Sequence, residues 1–445
     1  MSDHARRPYR KLAILISLIA AVLAGVVQSD ALDQLSNDGS ANQRTALISI
    51  VVYWCFTMLA LVVLSKRKTH WKQMLLGIVA TTLCIAAAEF ALRILNPRLA
   101  LPKYRIVYHA ELHHVSPPNE HMDFGYFHDK RVDVVTNEDG FRTKYSPDEF
   151  NMAKQRIVCI GDSFTFGFGN QEGRGYPDYL EQMLREKADS DDIAVLNAGV
   201  ISYSPILELK LMRRDLLKYN PQTVVLMLDA NDIGDDYWYD RDIERLKDEK
   251  GPYGKLVRPD TLQLGAIWRL TSSIRNHEAL VAPFKLMGRL LFGKSEDPHY
   301  YQFEAKVSNI TETNRFFIFR HPLEKTRHYF DHSWGYIQQI AEECRKIDAR
   351  FVLVVPPRFQ HWNTEECKNN WEGYKYKLGE PHELAMFEYF AEKKQEADFE
   401  VYSLLPQFQA TDRFPLVYPG DPHWNEEGNR FVAENVVQLL LDNQH

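Results

Sequence analysis

Four short apolar runs constrain what this chain can fold into more than any other feature. They cover residues 157–160, 193–196, 223–228 and 351–355, and a more mixed run follows at 399–404. Each is too short for a core helix and long enough for a strand buried on both faces. Between them, residues 176–187, 207–217 and 334–346 place leucines and charges at helical spacing, and 426–441 closes the chain in the same way. Strand–helix–strand alternation joins parallel strands by right-handed crossovers and covers both faces of the sheet. The expected class is therefore α/β, in three αβα layers around a parallel sheet.

Open sheets of this kind bind ligands at the C-terminal ends of their strands. Four pieces occupy such positions: Gly161-Asp162-Ser163 with Gly167, Asn197-Ala198-Gly199, Asn231-Asp232, and Asp421-Pro422-His423 ahead of the last helix. Taken singly each is weak, because Gly, Asp, Ser and Asn are all turn formers. The Gly-x-Ser-x-Gly elbow is not present, since Thr165 stands at its second glycine position.

In this order the four pieces resemble the blocks of the SGNH (GDSL-type) hydrolase family, over about residues 156 to 442 and with a long insertion. The resemblance implies a flavodoxin-like, SGNH-type sheet and a serine hydrolase. Ser163 would be the nucleophile, activated by His423, an imidazole able to take and return a proton near neutrality. Asp421 would orient the ring and stabilise its charged form. The oxyanion hole would be the backbone N–H groups of Ser163 and Gly199 with the side chain of Asn231. Glycine would suit its place by leaving room for a substrate carbonyl. Asp162 and Asp232 would support their loops. One residue, Pro422, separates Asp421 from His423 where the family usually has two. That spacing is similar to the version in alginate O-acetylation proteins.

The sequence opens with three further apolar stretches, 12–27, 46–64 and 74–95. Each is close to the ~20 residues that cross a bilayer core. Arg6, Arg7, Arg10 and Lys11 precede the first, and Lys66, Arg67, Lys68 and Lys72 lie between the second and third. The first loop instead carries Asp30, Asp33 and Asp38 against Arg44. By the positive-inside rule the basic segments are cytoplasmic, so residues 1–97 form a multi-pass anchor and the rest lies on the outer face. In a bacterium, which the resemblance suggests, that is the inner membrane with a periplasmic catalytic domain.

Residues 98–155 then form a connector with short β elements, and 156–445 the catalytic domain, its insertion at about 235–330. Five histidines crowd the connector (109, 113, 114, 121 and 128), with no common ligand spacing and no cysteine among them. They are expected as solvated or structural residues. The segment Thr136-Asn137-Glu138-Asp139-Gly140-Phe141-Arg142 often precedes the nucleophile block in membrane-linked members of the family, and is expected to pack a short hairpin on the sheet. Tyr237, Trp238 and Tyr239 open the insertion beside Asn231. They suit either a sugar- or acyl-binding wall or the insertion's own core.

With 53 Lys and Arg against 60 Asp and Glu, the net charge of −7 argues against nucleic acid as a partner. No phosphate-binding glycine loop or zinc motif is present, so no cofactor or metal is expected. Cys55, Cys84 and Cys159 lie in apolar runs as buried thiols, while Cys344 and Cys367 can pair as a disulfide if the domain lies outside the cytoplasm. The leading expectation is a membrane-anchored esterase that removes acyl groups, acetyl above all, from an envelope glycan or lipid. A polysaccharide O-acyltransferase is the alternative, and would need a membrane partner to deliver the acyl donor. A non-catalytic glycan-binding scaffold is the third reading.

Overall fold

A computed structural model describes residues 107–248, 303–370 and 379–442, apart from 110, 128, 129 and 369. All belong to one compact unit spanning 103–255 and 302–445. Among the described residues no helix is long and apolar enough to cross a membrane. The expected spans at 12–27, 46–64 and 74–95 lie outside them, as do Cys55, Cys84 and His128.

The connector contributes two antiparallel pairs, β1 (Val107–His109) with β2 (His113–Val115) and β3 (His121–Phe127) with β4 (Lys130–Val135). A short helix α1 (Pro147–Met152) follows, started by a Ser146–Glu149 capping box that satisfies two otherwise orphaned N–H groups. Strand β5 (Gln155–Gly161) leads into a single turn of helix α2 (Ser163–Phe166), then α3 (Tyr176–Ala188). Strand β6 (Ile193–Asn197) is followed by α4 (Pro205–Leu211). The sequence pattern runs helical to 217, but the α-helix stops at Leu211 and a π-helical turn, Met212–Leu216, replaces its end.

Strand β7 (Thr223–Met227) precedes helix α5 (Asp232–Asp248). Residues 249–302 lie outside the description. The chain resumes with a small hairpin, β8 (Ala305–Val307) and β9 (Ile310–Glu312), and helix α6 (Leu323–Lys346). Strand β10 (Arg350–Val355), helix α7 (Ala385–Glu396) and strand β11 (Glu400–Ser403) form the sheet's last crossover, and the short α8 (Leu405–Ala410) follows it. A hairpin of β12 (Val417–Tyr418) and β13 (Asp421–Trp424) precedes the last helix, α9 (Glu426–Asp442). Asn425 caps α9, its Oδ1 accepting the Gly428 N–H at 2.9 Å.

The five main strands lie in the order β11-β10-β7-β5-β6, every neighbouring pair parallel. From β5 the chain steps outward to β6, then back across β5 to β7 and on to β10 and β11. Right-handed crossovers in opposite directions put their helices on opposite faces. Accordingly α3 packs with α9, while α4, α5, α6 and α7 pack among themselves. The direction changes between β5 and β7, the switch point where open α/β sheets leave a crevice beyond the strand ends. Val158, Cys159 and Ile160 on β5 and Val224, Val225 and Leu226 on β7 are fully buried. Burial of each large side chain among them stabilises the sheet by about 1.5–3 kcal/mol.

The connector histidines are not uniformly solvated. His121 is exposed, whereas His113 and His114 are buried in ring contact with Tyr239. His114 Nε2 lies 2.7 Å from Ile201 O, and burial pushes its pKa down to about 3. The insertion's aromatics face inward too: Tyr237 lies edge-on to Tyr329, and Tyr239 donates its hydroxyl to Ser202 O at 2.7 Å. Cys344 and Cys367 are separate buried thiols rather than a bridge. Cys367 Sγ donates to Tyr418 O at 3.2 Å instead.

Candidate active site

Strand β5 ends at Gly161, and Asp162 caps the turn that follows by accepting the Phe164 N–H at 2.9 Å. Ser163 is thereby the first residue of α2, above the switch point, and is 9% exposed. Its Oγ lies 2.8 Å from His423 Nε2. Its backbone N–H opens α2, at a position with no intrahelical partner.

His423 arrives on β13. Side chains two apart on a strand share a face, so Asp421 and His423 point the same way with only Pro422 between them. Asp421 Oδ1 receives the His423 backbone N–H at 3.0 Å and lies 2.6 Å from Nδ1. Because that carboxylate oxygen can only accept, the proton sits on Nδ1 and Nε2 presents its lone pair to the Ser163 hydroxyl. The rings of Phe164 and Phe168 flank the imidazole at 5.0 and 4.9 Å. The shortened spacing is thus a strand solution to the same alignment.

The other two expected residues are differently placed. Gly199 gives its N–H to Asn197 Oδ1 at 3.0 Å. A Cβ there would stand 2.3 Å from Phe166 N and 2.6 Å from Thr165 C. The turn that carries Ser163, packed against this position, by itself demands glycine. Asn231 stands just before α5, its Nδ2 donating to Asp235 Oδ2 at 2.8 Å and, more weakly, to Asp232 Oδ1 at 3.3 Å. Its Oδ1 accepts from Arg358 Nη2 at 3.0 Å, which fixes which way the amide faces. Of the three expected oxyanion donors, two are engaged with protein acceptors.

Sequence reasoning missed Arg358. It follows β10 at the same sheet edge and forms a buried bidentate pair with Asp229, Nε donating to Oδ1 at 2.9 Å and Nη2 to Oδ2. The guanidinium also covers the Phe316 ring at 4.6 Å. The two residues lie 129 apart in sequence, so only a charge at each of two strand ends hinted at them. Beneath the site several carboxyls are buried together. Burial and Asp229 push Asp162 up to about 7. Burial drives Glu208 well above the carboxylate range, helped by Asp236 and Asp162, and neither of its oxygens has a partner among the described residues. Asp232, which accepts the Asp229 N–H at 2.8 Å, is raised by the same burial.

A nucleophilic hydroxyl, a base aimed at it and an acid holding that base can perform acyl transfer. Among the described residues no His, Cys, Asp and Glu group has the form of a metal site.

Residues 159–431 match the GDSL-like lipase/acylhydrolase family. No curated protein matches the chain. Among solved structures, an acetyl xylan esterase, AlAXEase, is similar at 16% identity, covering 64% of this chain and 100% of its own, with a TM-score of 0.34. A mutant of Axe2, an acetyl-xylooligosaccharide esterase from Geobacillus Stearmophilus, is similar at 13% identity, covering 64% and 94%, with a TM-score of 0.35.

Proposed function

Because this chain belongs to the GDSL-like lipase/acylhydrolase family and is an ester-bond hydrolase, we propose that it works as a serine esterase through Ser163, His423 and Asp421. Ser163 Oγ bonds to the acyl carbon while its proton passes to His423 Nε2. The carbonyl oxygen becomes an oxyanion against the Ser163 N–H. As the tetrahedral adduct collapses, the alcohol leaves with the proton from Nε2, and an acyl-serine remains. Water then attacks with His423 again as base, and the carboxylic acid departs. Gly199 and Asn231 complete the oxyanion site when their donors turn from Asn197 and Asp235. The observation that carries this reading is the line Ser163 Oγ–His423 Nε2–Nδ1–Asp421, at 2.8 and 2.6 Å.

The substrate in this reading is an acylated, principally acetylated, glycan or lipid of the cell envelope, met on the outer face of a membrane in which residues 1–97 are anchored. The sidedness rests on the loop charges. A C-terminal reporter that works only outside the cytoplasm should therefore be active, and an inactive one would reverse the topology. Transfer to a polysaccharide acceptor is a second reading, favoured by the single-residue Asp-x-His spacing. One assay separates the two: purified full-length protein is given acetylated glycan with and without a deacetylated acceptor oligosaccharide. Hydrolysis predicts free acetate at equal rates in both, and transfer predicts acetyl groups on the acceptor. Neither product in wild type, or equal product from Ser163→Ala, would overturn the enzyme reading.

A further inference from the structure

We propose that Arg142, from the connector, is a positioning residue that sets the distance between nucleophile and base. This rests on the esterase reading above and adds a residue to it. Arg142 is one of the largest fully buried side chains of the described residues, its side chain 1% exposed. A buried cation ordinarily faces a buried carboxylate. This one spends its donors on backbone carbonyls. Nη1 donates to Phe166 O and Gly167 O, both at 2.9 Å. Nη2 donates to Asn170 O at 2.9 Å and Gln171 O at 2.7 Å. The nearest carboxylate, Glu172, stands 3.5 Å from Nε and is itself 44% exposed, while Asp178 feels the guanidinium charge without bonding to it.

The four carbonyls belong to the end of α2 and the loop after it, which are the continuation of Ser163. Gly167 turns that loop with φ +76°, and a Cβ there would press on Arg142 Nη1 at 3.2 Å. The far side of the same loop is bonded to the hairpin that carries the base. Asn170 Nδ2 donates to Trp424 O at 2.9 Å, next to His423. The Tyr418 hydroxyl lies 2.9 Å from both Gly169 O and Asn170 Oδ1. Phe168 presses on the imidazole, and its N–H returns to Ser163 O at 3.0 Å. Loop 166–171 is therefore a spacer between Ser163 and His423, held from one side by Arg142 and from the other by Tyr418 and Trp424. A planar fork with five donors spans four carbonyls, and a lysine ammonium does not. The connector thus belongs to the working site and is more than a tether.

Stopped-flow labelling of full-length protein with a fluorophosphonate reads nucleophile reactivity as a rate constant and the number of competent molecules as an amplitude. Ser163→Ala is the unlabelled control. Arg142→Lys should lower the rate constant on the order of 10- to 100-fold, the scale of a misplacement near 1 Å. Tyr418→Phe removes one hydroxyl from the opposite support without changing the packing, and should lower it by a smaller factor, about 3- to 10-fold. It also decides the matter if Arg142→Lys does not fold. Rate constants equal to wild type, with only a reduced amplitude, would reduce Arg142 to a folding contact and overturn the proposal. Failure of wild type to label at Ser163 would instead defeat the esterase reading.

Discussion

The two halves of the proposed site differ in readiness. On the nucleophile side, Ser163, His423 and Asp421 already form a continuous line of hydrogen bonds at 2.8 and 2.6 Å. On the oxyanion side, the Gly199 N–H and the Asn231 amide are spent on Asn197 and Asp235. The difference lies in what each half must do without substrate. A proton-transfer line has both its donors and acceptors within the protein. An oxyanion hole has donors only, and unless water or substrate supplies the acceptor a buried donor is costly. Asn197 fills that need for Gly199 and the acids at the start of α5 fill it for Asn231, while Arg358 keeps the amide turned toward them.

Four measurements break or sharpen this contrast, in falling order of effect. Ser163→Ala or His423→Ala should each remove turnover of a small activated ester to background, a loss of roughly 10⁴-fold or more, and the double variant should lose no more than either. Additive losses would mean the line is not one unit. Asp421→Asn offers an amide where Nδ1–H needs a carboxylate, and should cost about 10³–10⁴-fold in kcat with little change in KM. Near-normal activity would assign the orienting role elsewhere. Asn231→Ala should cost about 10²-fold in kcat if its amide swings to the oxyanion. A loss under about threefold would leave the Ser163 N–H working without it.

The smallest effect is on stability, under the less ready half. Burial raises the Glu208 pKa well above the carboxylate range in the folded protein, while in the unfolded chain it ionises near pH 4. The folded state then binds the extra proton, so stability falls as pH rises above the unfolded value. Glu208→Gln removes that dependence. Its melting temperature should exceed wild type by roughly 3 °C or more at pH 7.5, and the gap should close toward about pH 4. A gap independent of pH would show that Glu208 is not the group that titrates.

The sheet was legible because strands buried on both faces are written as apolar runs. The 157–160 run became Gln155–Gly161 and the 351–355 run Arg350–Val355. Helix α6 was expected from 334 and starts at Leu323. Its first turns bury Thr326, Tyr329 and Phe330 among charged and histidine neighbours, which blur the periodicity. The β12–β13 hairpin is not expected from the sequence, since Pro419, Pro422 and Asp421 mask so short a pairing. The positions beyond the strand ends were also readable, and Ser163, Asp421 and His423 do come together. The engaged state of Asn231 was not, because it depends on Arg358, which donates to its Oδ1, and on Arg315, which donates to the same Asp235 Oδ2 at 2.8 Å, both distant in sequence. Arg142 was hidden for a more general reason. Its partners are carbonyls, which every residue carries, so a contact of this kind leaves no partner side chain to recognise.

A strand repeats its faces every second residue, and this gives the Asp421–His423 segment a parity. Adding one residue between the two would turn the imidazole to the opposite face of β13, and adding two would restore it. The segment can therefore change length without reversing the imidazole only in steps of two. Its spacing is a discrete property of the strand rather than a continuous length, because every odd insertion carries His423 away from Ser163.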